Sequence, residues 1–210
     1  LPKRNVRALA EALTSFGATL EPGDDESHLV VRGPLKGCDA SLDASGSSQV
    51  LTGLMCALAH AEGDSTLTLQ GLVSRPYLQM TMEVLEDMGI EITVLNEDED
   101  NRSMAIHVPG NQRANAMDVA IDGDWSAAAF LLALGALCAP HHLNVEGLHS
   151  THTQADEAVK GALLFGGCRL AGTDEGVQIL AGKPKSFHVD LTDCPDLFPP
   201  LAALAAFAKK

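Results

Sequence analysis

The chain has 210 residues, enough for one large or two modest domains, and its 46% hydrophobic and 20% charged content is that of a globular protein rather than a disordered chain or coiled coil. Lys plus Arg is 14 against 28 Asp plus Glu, a net charge of −14, and aromatics are only 4%; both argue against nonspecific binding to nucleic acid or an anionic membrane. No apolar run approaches the roughly 18 residues that span a bilayer.

The chain opens with an apolar helical pattern over 6–13 that closes at Phe16-Gly17, glycine supplying the left-handed cap that strains other residues. Two short strands follow, 18–21 and 29–32, joined by a turn at Gly23-Asp24-Asp25. A strand over 40–43 then leads through Ser45-Gly46-Ser47-Ser48-Gln49 into a very apolar helix, 50–61, and an alternating strand, 67–72. Ser74-Arg75-Pro76-Tyr77 starts the next helix, 77–87, which closes at Gly89 before strands 91–95 and 104–108, with a turn at Glu97-Asp98-Glu99-Asp100. Asn, Gln and Arg replace the apolar periodicity over 111–117, which marks a break.

The same order then returns. A strand over 119–122 precedes Gly123-Asp124-Trp125-Ser126, an apolar helix 127–137 and a strand 143–148 that aligns with 67–72. A helix over 155–165 closes at Gly166-Gly167 and is followed by strands 169–171 and 177–180 with a turn at Thr173-Asp174-Glu175-Gly176. A third start, strand 187–191, leads through Asp193-Cys194-Pro195-Asp196 to a helix over 201–208. Gly17, Gly89 and Gly167 lie 72 and 78 residues apart, so a β-α-β-α-β-β unit of roughly 75 residues repeats in tandem. The chain begins and ends within a unit, which predicts an internal piece of a longer protein with a break near 111–117.

Three helix starts carry polar side chains. At Ser47, Ser48 and Gln49, unpaired backbone N–H groups, the positive helix end and two hydroxyls converge, which suits an anion; plain serine capping is the alternative. Ser74 reads as an N-cap with Pro76 in the first turn, Arg75 as a bidentate anion contact or a solvated charge, and Tyr77 as a contact or a packing residue with a wet hydroxyl. Asp196, at the mouth of an apolar helix, is either an N-cap or a carboxylate able to move a proton. Asp124 reads as a cap, and His141-His142 lack metal-ligand neighbours. The five cysteines, Cys38, Cys56, Cys138, Cys168 and Cys194, contain no Cys-x-x-Cys pair and read as small buried hydrophobes of a reducing cytoplasm.

Ser47-Ser48-Gln49-Val50-Leu51-Thr52-Gly53-Leu54, Ser74-Arg75-Pro76-Tyr77, Gly123-Asp124-Trp125-Ser126-Ala127-Ala128 and the stretch from Asp190 through Pro195-Asp196, in this order, resemble the 3-phosphoshikimate 1-carboxyvinyltransferase family, also called 5-enolpyruvylshikimate-3-phosphate synthases. The resemblance covers nearly the whole chain. It implies an α/β fold of tandem β-α-β-α-β-β units, three per domain in two domains, with helix N-termini facing an interdomain cleft. Residues 1–117 would be part of the first, shikimate-3-phosphate-binding domain and 118–210 the start of the second. Ser47, Ser48, Gln49 and Ser74 would bind shikimate 3-phosphate, with Tyr77 as a further contact; Gln49 would also reach phosphoenolpyruvate, and Asp196 would be the catalytic acid/base.

The implied reaction belongs to the shikimate pathway of aromatic amino acid and chorismate biosynthesis. It uses no metal or organic cofactor, and the implied protein is cytoplasmic, a monomer when full length, with no nucleic-acid or membrane partner. Family cations from segments outside 1–210 would complete the cleft, so the chain alone is expected to be inactive and to bind weakly. A related UDP-N-acetylglucosamine enolpyruvyl transferase would need a catalytic cysteine loop, and a non-catalytic α/β repeat module would use its capped helices as a scaffold; the Ser-Ser-Gln and Ser-Arg-Pro-Tyr pair favours the first family.

Overall fold

A computed structural model describes residues 7–22, 28–46 and 48–209, and the chain divides into two compact units, Leu1–Met117 and Asp118–Lys210. The first unit opens with α1 (Arg7–Ser15) and the antiparallel pair β1 (Thr19–Pro22) and β2 (Leu29–Arg32). The turn expected at Gly23-Asp24-Asp25 lies outside the described residues. One whole β-α-β-α-β-β unit follows: β3 (Asp39–Asp43), α2 (Ser48–Leu58), β4 (Ser65–Gln70), α3 (Arg75–Asp87), β5 (Thr93–Asp98) and β6 (Ser103–Val108).

The sheet order is β3-β4-β6-β5. Helix α2 is the crossover that allows β3 and β4 to run parallel, and the β5–β6 hairpin completes the sheet in antiparallel fashion. Period-two alternation sends Ser65, Leu67 and Leu69 of β4, and Met104, Ile106 and Val108 of β6, to the buried face. Helical spacing puts Leu51, Leu54, Met55 and Leu58 of α2 and Leu78 and Leu85 of α3 against that face, with Phe16 joining from the end of α1. Each such side chain contributes about 2 kcal/mol when fully buried.

In the second unit, α4 (Trp125–Cys138), β7 (His142–Glu146), α5 (Val159–Phe165), β8 (Arg169–Thr173), β9 (Gly176–Leu180) and α6 (Phe198–Ala206) appear in that order. The sheet is β7-β9-β8, all antiparallel. Trp125, Leu132, Leu163, Ile179, Leu197 and Leu204 are almost fully buried in its core. Helix α4 is apolar on every side: Ala128, Ala129, Leu132 and Ala136 face this core, while Phe130, Leu131 and Leu134 are exposed.

Several expectations are corrected. Residues 119–122 and 187–191 form no strands; Ile121 is 85% exposed, and among the described residues no ladder pairs with the outer edge of β7. Just after the first of these segments, Gly123 N donates to Gly147 O, beyond the end of β7, at 2.7 Å. Helix 155–165 starts with a 3₁₀ turn, Ala155–Ala158, before α5. Glu97 and Asp98, expected in a turn, end β5, because a bulge between Val94 and Asn96 shifts the register and the turn is made by the next residues. The three repeated glycines do adopt positive φ: 84° at Gly17, 76° at Gly89 and 76° at Gly167.

Candidate functional site

Parallel β3 and β4 end level, Asp43 opposite Gln70, so α2 and α3 both depart from the same sheet edge, where open α/β sheets place ligands. The two connecting loops touch. Ala44 N donates to Gln70 O at 2.8 Å, and Gly71, at φ +67°, comes so close that a Cβ on it would stand 3.3 Å from Ser45 Cβ. Ser45 N donates to Asp43 Oδ1 at 2.9 Å, and the Ser45 side chain and backbone together hold the Asp43 carboxyl below its ordinary range.

Ser48 opens α2 half-buried, and Gln49 is exposed in its first turn. Ser47 lies outside the described residues. One turn further in, the hydroxyls of Thr52 on α2 and Thr81 on α3 meet at 2.8 Å, and Thr81 Oγ1 also donates to Tyr77 O at 2.8 Å. The first turns of α2 and α3 are thus side by side. Ser48 and Gln49 open α2 and Ser74 and Tyr77 flank the start of α3, so both pairs stand at positive helix ends, an arrangement suited to a phosphorylated ligand.

Ser74 sits at the N-cap position of α3 but does not cap it with its side chain. It is buried and left-handed, φ 54° and ψ 40°. The reason is Pro76: a capping hydroxyl accepts from the second or third helical N–H, the second here belongs to proline, and the third, Tyr77 N, already donates to Ser74 O at 3.1 Å. Left-handed serine costs about 1 kcal/mol. Tyr77 is half-buried and its hydroxyl oxygen is buried, so the expected wet hydroxyl is corrected as well.

Arg75 is not an open anion contact but a partly exposed charge bound to two carboxylates of its own chain. Its Nη2 lies 2.6 Å from Glu97 Oε1 and its Nη1 2.8 Å from Glu99 Oε1, and the Glu99 hydrogen bond raises the guanidinium pKa further. From the same hairpin, Arg102 Nε donates to Leu72 O at 2.8 Å, and Leu72 N donates to Arg102 O at 2.8 Å. Sequence reasoning passed over Arg102; its signal is a single base closing an acidic turn.

Asp196 belongs to the second unit. It is exposed in a 3₁₀ turn, Pro195–Leu197, that runs straight into α6. It caps nothing: Leu197 holds the N-cap position of α6, and Pro199 and Pro200 remove the two N–H groups a cap would satisfy. Behind this turn a cavity of about 440 Å³ is lined by Ala158, Phe165, His188, Asp190, Cys194 and Leu197, among others.

Also in the second unit, the start of α4 is filled by the protein's own acids. Asp124 accepts from Ser126 N at 2.9 Å, as expected of a cap, and the buried Asp156 accepts from the Ser126 hydroxyl. Gln154 accepts from Trp125 N at 3.1 Å and donates to Gly123 O at 3.0 Å. Asp122 accepts from Thr151 N and Oγ1, both at 3.0 Å; burial pushes its carboxyl up, but the bonds from Thr151 and His152 outweigh this and leave it below the ordinary range. Trp125, bulky for this turn, is buried with Lys160 Nζ 5.0 Å from its ring centre. Asp156 was missed by sequence reasoning, although it is an acid in a first helical turn otherwise facing Val159, Ala162 and Leu163.

Of the cysteines, only Cys168 and Cys194 are buried; Cys56 and Cys138 are exposed and Cys38 is half-buried, which corrects the uniform expectation. Burial first, then the carboxylates of Asp156, Asp193 and Asp190, push the Cys194 thiol up, the opposite of nucleophile activation. Among the described residues no three His, Cys, Asp or Glu side chains group as metal ligands, and no helix is long and apolar enough to cross a membrane.

A family model for EPSP synthase (3-phosphoshikimate 1-carboxyvinyltransferase) matches residues 1–210. The 3-phosphoshikimate 1-carboxyvinyltransferase of Methanococcoides burtonii is 35% identical over 190 residues, covering 89% of this chain and 43% of the relative. That of Methanocorpusculum labreanum is 30% identical over 210 residues, 100% of this chain and 48% of the relative. The chain therefore spans about half the length of these curated relatives. Among solved structures, an EPSP synthase of Acinetobacter baumannii superposes with a TM-score of 0.71 at 21% identity, over 99% of this chain and 47% of that one. An enolpyruvyl transferase of Streptomyces tendae gives 0.73 at 19% identity, over 100% and 50%. These two share the α/β enolpyruvyl transferase fold. With the family pattern running from the first residue to the last, the chain belongs to the EPSP synthase family.

Proposed function

We propose that this chain is part of an enzyme that transfers the enolpyruvyl group of phosphoenolpyruvate to the 5-hydroxyl of shikimate 3-phosphate and releases phosphate. Residues 1–117 form part of the shikimate-3-phosphate-binding domain, where Ser47, Ser48, Gln49 and Ser74 hold the sugar-like acid with help from Tyr77, and Gln49 also reaches phosphoenolpyruvate. The observation that supports the reading is that α2, opened by Ser48 and Gln49, and α3, preceded by Ser74, both start where parallel β3 and β4 end level and pack against each other through Thr52 and Thr81.

Residues 118–210 start the second domain and contribute Asp196. Its carboxylate is exposed and caps no helix, which leaves it available to take the proton of the attacking hydroxyl. That hydroxyl oxygen bonds to C2 of phosphoenolpyruvate while C3 gains a proton; C3 then loses a proton as the C–O bond to phosphate breaks, restoring the double bond. Two anionic substrates require several cations. Arg75 is committed to Glu97 and Glu99, so the chain alone is expected to bind weakly and not turn over. The full-length enzyme acts as a cytoplasmic monomer without metal or organic cofactor.

Calorimetric titration of shikimate 3-phosphate into the full-length enzyme and measurement of phosphate release test these roles. Ser48→Ala is expected to weaken binding about tenfold, the loss of one charge-assisted hydrogen bond. Asp196→Asn is expected to lower kcat by about a hundredfold or more with KM little changed. Unaltered affinity in the first and unaltered turnover in the second would overturn the assignment.

A further inference from the structure

We propose that Arg75 and Arg102 are positioning residues, which brace the loop between β4 and α3 against the β5–β6 hairpin and so hold Ser74 in the left-handed conformation that presents its hydroxyl to shikimate 3-phosphate. This rests on the substrate reading above and deepens it. The chain is gripped on both sides of Ser74. Two residues before it, Leu72 exchanges hydrogen bonds with Arg102, its carbonyl accepting from Arg102 Nε and its N–H donating to Arg102 O, both at 2.8 Å. One residue after it, the Arg75 guanidinium spans Glu97 and Glu99 at 2.6 and 2.8 Å.

Arg102 itself adopts a positive φ of 49°, so the brace involves two of the three left-handed non-glycine residues among the described residues. Glycine would occupy position 74 without strain. A serine held there, with no helical amide left for it to cap, is a hydroxyl kept for another partner. The carboxylates matter as much as the arginines. Guanidinium geometry lets one residue bridge two acids, which a lysine cannot do in the same plane.

This assignment differs in sign from the obvious alternative, in which Arg75 binds phosphate directly. If it did, removing the negative charges of Glu97 and Glu99 would free the cation and tighten anion binding. If the two acids are the far anchor of a brace, removing them loosens Ser74 and weakens binding.

The test is an NMR titration of the full-length enzyme with shikimate 3-phosphate, comparing wild type with Arg75→Met, Arg75→Lys, Arg102→Met and the double change Glu97→Gln/Glu99→Gln. Affinity is expected to fall about fivefold in the double Gln variant and in each Met variant, with Arg75→Lys intermediate, the scale expected of surface ion pairs. In all four the Cα and Cβ shifts of Ser74 should leave the left-handed range before ligand is added. Tighter binding by the double Gln variant, or unmoved Ser74 shifts in both Met variants, would overturn the brace. A wild-type full-length enzyme whose Ser48, Gln49 and Ser74 signals ignore the ligand would instead sink the substrate reading, while the Ser74 shifts still judge the brace.

Discussion

Ser74 occupies a backbone position at which glycine would be at ease, and its side chain does nothing for the helix it precedes. A residue that costs stability without local return is best explained by what it does for a ligand. Ser74→Gly is therefore expected to separate the two roles. Relief of the left-handed strain should stabilise the first unit by about 1 kcal/mol, read as a higher urea midpoint, while affinity for shikimate 3-phosphate drops about tenfold. A glycine variant that loses stability, or that binds as wild type does, would contradict this account. The helix start on α4, in the second unit, makes a useful contrast. There Asp124 and Asp156 already satisfy amide and hydroxyl donors, so an incoming anion would meet carboxylates rather than open N–H groups.

At the scale of elements, β9 leaves no room for a side chain against β7 at Gly176. A Cβ there would fall 2.1 Å from Val145 O, and neither strand can retreat without breaking the ladder. Gly176→Ala is expected to destabilise the second unit by about 2 kcal/mol or more, measured by thermal unfolding; an unchanged midpoint would show that the hairpin yields. Much of the ladder was legible in the sequence because the alternation in 67–72 and 104–108 matches a sheet with one buried face. The same alternation misled at 119–122 and 187–191, since a pattern specifies which face a strand would bury and not whether a neighbouring edge exists to pair with it. The clustering of serines at two helix starts was readable from local spacing. The commitment of Arg75 to Glu97 and Glu99 was not: it joins side chains more than twenty positions apart, and only the folded hairpin brings them into reach.

For the molecule as a whole, two cores with no residue in common carry the stability, one in each unit. A net charge of −14 surrounds them. On α4, Ala127, Phe130, Leu131 and Leu134 recur at helical spacing on the side turned away from the core and lie open to water. At low ionic strength copies of the chain repel one another across a Debye length of about 30 Å; in 1 M salt that distance shrinks to about 3 Å. Colloidal behaviour follows: adding sodium chloride should make purified solutions scatter more light, as greasy ridges formerly kept apart by mutual repulsion begin to adhere, and Phe130→Glu should suppress the clouding. Scattering indifferent to added electrolyte would mean that the ridge is not sticky at all.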